Sequence, residues 1–384
     1  MSGPPVRLRG LTWDHRRAID PLVGTLPAFR AGHPGIDVAW DVQPLSGFEF
    51  EPLAALARRY DLIVFDHPHV GDVAATGCLM PLDRQSRVGD PFVGPSLASY
   101  RLGAHLWGVP IDAACQVAAY RPDLLARLAS APPRTWDEVL ALGERARRAN
   151  LSLAVALNGV HALMTFYTLC ASQGRACAIQ PDQPLADRGT ARAALDALRR
   201  LVALAAPEAL DWSSIAVQDA MAARDDLVYC PAVYGFATYA EADRANPLRF
   251  ADLPELGHGA PVGSTIGGAG IGVSAETRAP EAALAYVCTL AAAATQIAFA
   301  RHHGQPAHRA AWDDPAIDER YGGFFRATRA TIEAAWVRPR YAGYLGFQKA
   351  AGAAINSHLR GAIAEADLID RLERLHARAQ RGAA

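Results

Sequence analysis

The sequence has almost no lysine and no excess of positive charge. Of its 384 residues, 38 are Lys or Arg and 39 are Asp or Glu, and Lys349 is the only lysine. The arginines are interspersed with acidic residues, as in GERARRAN, a pattern typical of solvated helix faces rather than of a phosphate-binding surface. The charge pattern therefore argues against a protein that binds nucleic acid.

Long apolar runs are also missing. No stretch of 18 consecutive apolar residues is present, so the sequence predicts no membrane-spanning helix. The opening residues, MSGPPVRLRGLTW, lack the apolar segment of a secretory signal. We expect either that a signal was replaced at this end or that the protein works in the compartment where it is made.

The six cysteines lack the close spacing of a metal or redox site. No C-x-x-C pair occurs, which disfavours a zinc site and a thioredoxin-like centre. Buried free thiols are the favoured interpretation. Cys170 and Cys177 are the only pair close enough in sequence to suggest a local disulfide.

Familiar catalytic motifs are absent. The sequence contains no G-x-S-x-G, no H-E-x-x-H and no P-loop, and GGAGIG does not have the spacing of a dinucleotide-binding loop. We therefore expect a protein that is not an enzyme and that needs no cofactor. A glycosidase-like pair, Asp14 with Asp66, is the enzymatic alternative, and it is disfavoured.

What the sequence does contain is a regular alternation of strands and helices. The segments VRLRGLTW, GIDVAWDV and DLIVF have the composition of strands, and helical patterns lie between them, the first at Ile19–Phe29. This alternation predicts an α/β fold with a parallel, doubly wound sheet. The carboxyl ends of the three strands would meet at one edge, together with loops at residues 12–15, 45–48 and 66–69.

Later segments predict a second α/β region. Two short extended runs flank Asp112 and indicate a crossing between domains, and a capping box, Thr135 with Glu138, begins a helix. LSLAVALN predicts a buried strand that ends at Asn158. The long helices predicted beyond this point are Val160–Gln173, Thr190–Leu204, Ile215–Ala223, Pro280–His302, Tyr321–Trp336, Leu345–Leu359 and Glu365–Arg378.

Several of these segments, in this order, resemble the family 1 extracellular solute-binding proteins, the ABC-transporter receptors that include the maltose-binding protein. The resemblance is carried by YDLIVFDHPHVGDVAATGCLMPLD, LWGVPIDAACQVAAYRPDLL, PRTWDEVLALGERA, GGAGIGVS with the helix after it, and RPRYAGYLGFQKAAGAAI. It extends from Leu8 to about Ala379. Each segment is weak evidence alone, but five in the right order are specific.

The resemblance implies a two-lobed, type II periplasmic-binding-protein-like fold with discontinuous domains and a hinge. Residues 1–112 with 261–310 would form the first lobe, and residues 113–260 with 311–384 the second. The hinge segments would lie near Pro110–Ala114, His258–Pro261 and Ala307–Trp312.

The implied function is capture of a small polar solute, above all a sugar or oligosaccharide, by hinge closure. The partner would be an ABC permease in the inner membrane, and the receptor itself would be a monomer. The implied location is the periplasm, and the cytoplasm is the alternative because no signal is visible. Tryptophan is scarce at the expected binding loops, which leaves a carboxylated ligand open, and the missing signal leaves a cytoplasmic sensor role open. A divalent metal ion is a further alternative, because the same loops contain His15, His67, His69, Asp14 and Asp66.

The candidate binding residues are polar or aromatic residues at strand ends, glycines that admit a close ligand, and one arginine. Trp13 offers a flat surface for stacking on a sugar ring, and carboxylates and imidazoles offer directed hydrogen bonds. For Asp66, an Asx-turn or a cap on the helix beginning near Val70 is an alternative role. A surface role is the default for Arg340, and it would lie in the second lobe. The full set is Trp13, Asp14, His15, Ser46, Asp66, His67, Asp112, Asn158, Tyr234, Phe236, Gly267, Gly268 and Arg340.

Overall fold

The computed structural model describes residues 5–83, 91–179, 183–257 and 263–381. The chain divides into two compact units. Unit 1 comprises residues 1–113, 267–317 and 340–342, and unit 2 comprises 114–266, 318–339 and 343–384. The return of residues 340–342 to unit 1 differs from the sequence interpretation, which placed Arg340 in the second lobe.

Unit 1 is built on a sheet with the strand order β2-β1-β3-β10. β1 pairs in parallel with both β2 and β3, and β10 runs antiparallel to β3. β3 is fully buried because its four residues are all apolar. The strands assigned to this unit are β1 (Val6–Trp13), β2 (Ile36–Gln43), β3 (Leu62–Phe65), β4 (Arg101–Leu102), β5 (His105–Leu106) and β10 (Ile266–Val273, whose first residue belongs to unit 2).

The helices of unit 1 follow the expected start and stop signals in several places. The Nδ1 atom of His15 accepts a hydrogen bond from the backbone of Arg17 at the start of α1, and α4 ends at Gly77 in a left-handed conformation. The helices are α1 (Arg16–Gly32), α2 (Leu45–Phe50), α3 (Leu53–Ala57), α4 (Val70–Thr76), α5 (Ser96–Ser99), α11 (Pro280–Ala291), α12 (Ala293–Arg301), α13 (Arg309–Trp312) and α14 (Pro315–Arg320, which continues into unit 2).

Unit 2 is richer in helix. Its sheet contains the second part of β6, which pairs antiparallel with β8 and β9, and β7, which pairs in parallel with β8. The strands are β6 (Val109–Tyr120, from residue 114 onward), β7 (Ser152–Leu153), β8 (Leu227–Tyr234) and β9 (Arg249–Ala251). The helices are α6 (Pro122–Arg127), α7 (Trp136–Arg148), α8 (Val160–Ser172), α9 (Arg188–Val202), α10 (Ser214–Ala223), α15 (Phe324–Ala327), α16 (Arg329–Glu333), α17 (Tyr344–Leu359) and α18 (Glu365–Arg381).

The predicted capping box is present. The hydroxyl of Thr135 accepts from the backbone of Glu138, and the Glu138 carboxylate accepts from the backbone of Thr135. Two elements of unit 2 differ from expectation. The strand predicted from LSLAVALN is limited to Ser152–Leu153, although residues 153–157 are buried. The helix predicted at Tyr321–Trp336 is divided into short turns, of which α15 and α16 are the described helices.

The helix predicted at Pro280–His302 is two helices. α11 ends at Ala291 and α12 begins at Ala293, and the extended backbone of Ala292 separates them. Within the described ranges, no single helix is both long and apolar enough to span a membrane. α11 and α12 reach that length and composition only when counted together, and they meet at a bend of 70°.

The three predicted hinge segments have different outcomes. β6 passes from unit 1 to unit 2 between Ala113 and Ala114, within the first segment. The segment His258–Pro261 lies outside the described residues. The segment Ala307–Trp312 lies within unit 1, which continues to Ile317.

Candidate functional site

The carboxyl ends of β1, β2 and β3 lie together at one edge of the unit 1 sheet. The register pairs Trp13 with Gln43 and Leu11 with Ile63, and all three strands point the same way. The loops predicted to carry polar residues therefore begin at a common edge, where parallel sheets usually bind ligands. This arrangement follows from the sequence because β3 is a short apolar run, and β1 and β2 alternate apolar with polar residues before a turn.

Trp13 is buried in this region. Its side chain is only 5% exposed, and its ring centroid lies 4.8 Å from that of Phe48 in α2. The indole Nε1 is buried and has no hydrogen-bond partner among the described residues. An indole N–H without an acceptor is available to a hydroxyl oxygen or to water. A stacking role for Trp13 stays a prediction, and the Phe48 contact shows that part of the ring surface is already covered.

Asp66 caps the turn that follows β3. Its Oδ1 accepts a hydrogen bond from the backbone of His67 at 2.9 Å and lies 3.0 Å from the Nδ1 of the same residue. The turn continues to His69, and α4 then begins at Val70 as predicted. Asp66 therefore caps this turn and not α4 itself, and its side chain remains only partly exposed.

The two histidines of this turn are buried. The Nε2 of His69 lies 3.3 Å from the carbonyl oxygen of Phe48, and burial lowers the pKa of His69 below its ordinary value. The ring of His67 is fully buried and lies 6.4 Å from that of Tyr100, whose hydroxyl donates to the carbonyl oxygen of Phe65. These imidazoles pack inside unit 1, so His67 as a ligand contact stays a prediction.

Asp112 forms a buried ion pair with Arg17 of α1. The Nε and a terminal nitrogen of Arg17 donate to the two carboxylate oxygens at 2.7 and 2.6 Å. Burial raises the pKa of Asp112, whereas the Arg17 guanidinium opposes that shift. Both carboxylate oxygens thus accept hydrogen bonds from Arg17. The sequence analysis did not predict this pairing, because the two residues are distant in sequence.

A small void lies beside this ion pair. It measures about 10 Å³, enough for one water molecule, and Thr12, Trp13 and Gln305 contribute to its walls together with Asp112 and Arg17. The Oγ1 of Thr12 is buried and has no hydrogen-bond partner in the described part of the chain. The void therefore has a polar lining suited to water.

Asp14 and Ser46 are exposed at the ends of β1 and α2, where side chains can reach a solute. His15, which is half-buried, caps α1 through Nδ1, as described above. Asp14 and Ser46 are the members of the predicted set in unit 1 whose side chains are most accessible.

Arg340 is a correction to the sequence interpretation. It belongs to unit 1, and one of its terminal nitrogens donates to the carbonyl oxygens of Ala98, Ser99 and Arg101. Burial lowers the pKa of this guanidinium. Because that nitrogen satisfies carbonyls at the end of α5, the residue has a structural role that a simple surface arginine would not have.

Gly267 and Gly268 lie in β10, where their backbone was predicted to admit a ligand. Gly268 has a φ of 98°, and a Cβ at this position would lie 2.4 Å from the carbonyl oxygen of Asp112. The glycine is therefore required by the close approach of β10 to the backbone at Asp112 and Ala113. Ligand contact by either glycine stays a prediction.

In unit 2, Asn158 is exposed, Tyr234 is half-buried and Phe236 is buried. The Tyr234 hydroxyl donates to the Oγ1 of Thr265 at 3.1 Å, and the backbone N–H of Phe236 donates to the side-chain oxygen of Gln218 at 3.0 Å. Asn158 and Tyr234 are thus the unit 2 candidates with accessible polar side chains.

Sequence reasoning missed a buried polar network next to Tyr234. The side chain of Gln116 accepts from the hydroxyl of Thr168 at 2.6 Å and donates to that of Thr165 at 3.1 Å, and Thr168 lies 3.1 Å from the hydroxyl of Thr265. We call these four residues and Tyr234 the Gln116 network. Periodicity marks Thr165 and Thr168 as buried helix positions, but no local pattern reveals their partners.

His161 and Arg338 form a second group that was not foreseen. Ser214 lies 3.4 Å from His161 through both its backbone nitrogen and its hydroxyl, and Arg338 donates to the side-chain oxygen of Gln348 at 3.0 Å. Burial, with a contribution from the Arg338 charge, lowers the pKa of His161 to about 4. His161 is therefore neutral at physiological pH.

Among the described residues, no group of three or more His, Cys, Asp or Glu side chains is arranged to hold a metal ion. The histidines and aspartates of the β1 and β3 loops, which suggested a metal site, do not form such a group within the part of the chain that the structure describes.

A family model for bacterial extracellular solute-binding proteins matches residues 13–297. The chain belongs to this family. The match includes the predicted loops of unit 1, apart from residue 12, and most of unit 2. No curated protein sequence matches the chain.

Solved structures of solute-binding proteins have the same fold. The maltose-bound MalE3 protein of T. maritima is 18% identical, with a TM-score of 0.83, and 97% of this chain and 99% of that chain are covered. The GacH receptor of Streptomyces glaucescens, solved with acarbose, is 16% identical, with a TM-score of 0.82 and full coverage of both chains. A ribitol complex from Agrobacterium radiobacter is 19% identical, with a TM-score of 0.82, and the coverage is 98% and 99%. The periplasmic-binding-protein fold predicted from the sequence is confirmed.

The family and the fold are those of binding proteins rather than of enzymes. The solute-binding family thus accounts for a chain with no recognisable catalytic motif.

Proposed function

We propose that this solute-binding protein is the receptor of an ABC transporter and that its ligand is a sugar or a sugar alcohol. The family match over residues 13–297 carries the proposal. The related structures named for maltose, ribitol, D-mannitol and α-D-tagatose support the ligand class, because these ligands are all neutral and rich in hydroxyl groups. The extracellular family also supports a location outside the inner membrane, where such a receptor would meet its permease.

The side chains at the candidate positions are compatible with such ligands. A hydroxyl group both donates and accepts, so it is bound best by a mixture of carboxylate, amide and hydroxyl groups. Asp14 and Ser46 in unit 1 and Asn158 and Tyr234 in unit 2 supply this mixture on accessible or half-buried side chains. We propose these four residues as direct contacts, with Trp13 as the aromatic contact.

The proposed mechanism is hinge closure. A ligand can change the population of two conformations only to the extent that it binds one of them more tightly. We therefore propose that the solute makes more contacts in a closed state than in an open state. Small-angle X-ray scattering with and without ligand measures the change, and an unchanged radius of gyration at saturation would contradict closure.

The ligand class is tested by a thermal-shift screen followed by calorimetry. Maltose, ribitol, D-mannitol and tagatose are compared with a sugar acid, an amino acid and divalent metal ions. A ligand at one hundred times its dissociation constant stabilises the fold by about 2.7 kcal/mol, which is readily visible as a shift in melting temperature. Stabilisation by the sugar acid alone, or by a metal alone, would overturn the neutral-sugar proposal.

The contact residues are tested once a ligand is found. We expect Trp13→Ala to weaken binding by roughly 1–3 kcal/mol, as truncation of an aromatic anchor usually does. Asp14→Ala and Ser46→Ala should weaken binding while leaving stability unchanged, because both side chains are exposed. Thr76→Ala, at an exposed position in α4, is the control. Unchanged affinity in all three variants would show that the edge of the unit 1 sheet does not bind the solute.

A further inference from the structure

Two cysteines of unit 2 lie on either side of one reversal of the chain. Cys170 lies in the last turn of α8 and is fully buried, and Cys177 follows the turn and is 4% exposed. Both are free thiols in the structure.

The backbone between them folds back over the end of α8. The N–H groups of Gln173 and Arg175 donate to the carbonyl oxygen of Cys170, and that of Gly174 donates to Ala171. Gly174 has a φ of 73°, a left-handed conformation that ends the helix and redirects the chain. This reversal brings the side chain of Cys177 next to that of Cys170, and both side chains are buried.

The chain after Cys177 is also anchored. The N–H of Ala178 donates to the carbonyl oxygen of Leu185 at 2.8 Å, and the N–H of Leu185 donates to the Glu373 carboxylate of α18 at 3.0 Å. The position of Cys177 is therefore held from both directions. Two neighbouring buried thiols on an ordered reversal of the chain are suitably placed for a disulfide, which requires that the two α-carbons be close.

We propose that Cys170 and Cys177 form an intramolecular disulfide when the protein meets an oxidant of the disulfide class. The thiolate of one cysteine attacks a sulfur of the oxidant, which gives a mixed disulfide and releases one thiolate. The second cysteine thiolate then displaces the remaining half of the oxidant and closes the Cys170–Cys177 bond. The two cysteines lose two electrons and two protons, and the oxidant is reduced to two thiols.

Burial makes the bond slow to form in the folded state. Burial raises the pKa of the Cys177 thiol, and the neighbouring Cys170 and the Glu373 carboxylate add to the shift. The reactive thiolate is therefore scarce in the folded protein. Oxidation should proceed during folding, or when the turn at residues 173–176 opens.

The experiment uses the full chain equilibrated in mixtures of oxidised and reduced glutathione. After acid quenching and denaturation, free thiols are alkylated and counted by mass spectrometry. Trypsin cleaves after Arg148, Arg175 and Arg188, so peptides 149–175 and 176–188 remain joined only if the disulfide is present. We expect this joined pair from the oxidised native protein, with four thiols left to alkylate out of six.

Variants assign the bond. Cys170→Ala and Cys177→Ala should each abolish the joined peptides, whereas Cys115→Ala, at another buried cysteine of unit 2, should retain them. Oxidation should raise the ratio of folded to unfolded wild-type protein on the order of fifty-fold, because closing a short loop restricts the unfolded chain. Six alkylated thiols after oxidation, or a different cysteine pair joined in the native protein, would overturn the proposal, and the wild-type peptide map decides this even if a variant does not fold.

Discussion

Strand β6 is held by two different kinds of buried polar contact. In unit 1, Asp112 forms a bidentate ion pair with Arg17. In unit 2, Gln116 of the same strand is held by neutral hydroxyl groups of Thr165 and Thr168. Only four positions of one strand separate a charged anchor from an uncharged one.

The two contacts should respond differently when one partner is removed by substitution. A buried ion pair loses its compensation when one partner is removed, because the remaining charge stays in an apolar environment. A neutral network loses one hydrogen bond and leaves a dipole unsatisfied, which costs less. We therefore expect the Asp112 anchor to be the more sensitive of the two, although both hold the same strand.

The largest effect is expected for Arg17→Met. Removal of the guanidinium leaves the Asp112 carboxylate buried without its partner, and the free energy of unfolding should fall by roughly 3–5 kcal/mol. Urea denaturation followed by circular dichroism measures the change. The double variant Arg17→Met, Asp112→Leu removes both charges and should recover most of the loss. Equal instability in the single and the double variant would contradict a charge-based explanation.

The next effect concerns His161 of unit 2 and the dependence of stability on pH. The folded pKa of His161 is about 4, below the ordinary value of 6.5, so the unfolded chain binds its proton first. The stability that follows from the lowered pKa of His161 is complete above pH 6.5 and is lost as the pH falls toward 4. The free energy of unfolding should therefore fall by about 2 kcal/mol between pH 7.5 and pH 5.

Comparison with His161→Gln isolates this contribution. Unfolding curves at both pH values should show a smaller loss in the variant than in the wild type. The prediction is wrong if the two proteins lose stability equally on acidification.

A smaller effect is expected for Thr168→Val, which removes one hydroxyl of the Gln116 network without changing the side-chain shape. The free energy of unfolding should fall by about 1–2 kcal/mol, since the Gln116 side-chain oxygen and the backbone N–H of Thr265 each lose a partner. Thr76→Val in α4, where the side chain is exposed, is the matched control and should change stability by less than about 0.5 kcal/mol. A loss as large as that of Arg17→Met would remove the contrast between the two anchors.

The smallest effect is expected for Arg9→Ala. Arg9 pairs with Asp41 at 2.8 Å, a distance similar to that of the Arg17 pair, but both side chains are about half exposed or more. Water competes for such a pair, so the free energy of unfolding should change less than in any of the other variants. A large loss measured by the same urea denaturation would show that separation, rather than burial, controls the strength of these pairs.

The sequence predicted the parts of the fold that local patterns determine. β3 follows from an apolar run, β1 and β2 follow from strand-like segments bounded by turn residues, and the Thr135 capping box follows from its spacing. The break at Ala292 was not predicted, because an alanine-rich segment contains no helix-breaking residue. Beyond the break, Gln296 of α12 donates to Pro110 and accepts from the backbone of Ala307, contacts that set the direction of that helix.

The candidate site was predictable to a smaller extent. Residues at the ends of β1 to β3 could be placed at one edge because parallel strands require it. The ion pair of Asp112 with Arg17 and the hydrogen bonds of Arg340 at the end of α5 could not be predicted, because each depends on partners far away in the sequence. The same holds for Gln116 and Thr168, which are 52 residues apart.

The return of residues 340–342 to unit 1 affects how the protein can be made. Gly71 lies so close to this segment that a Cβ would be 2.1 Å from the carbonyl oxygen of Arg340, and β10 also completes the sheet that the first 65 residues begin. Although unit 1 holds the N-terminus, it cannot acquire all its native contacts until translation has passed Ala342. The apolar surfaces of β3 and α4 therefore lack some of their native partners for most of the synthesis. During this period chaperone binding would compete with aggregation.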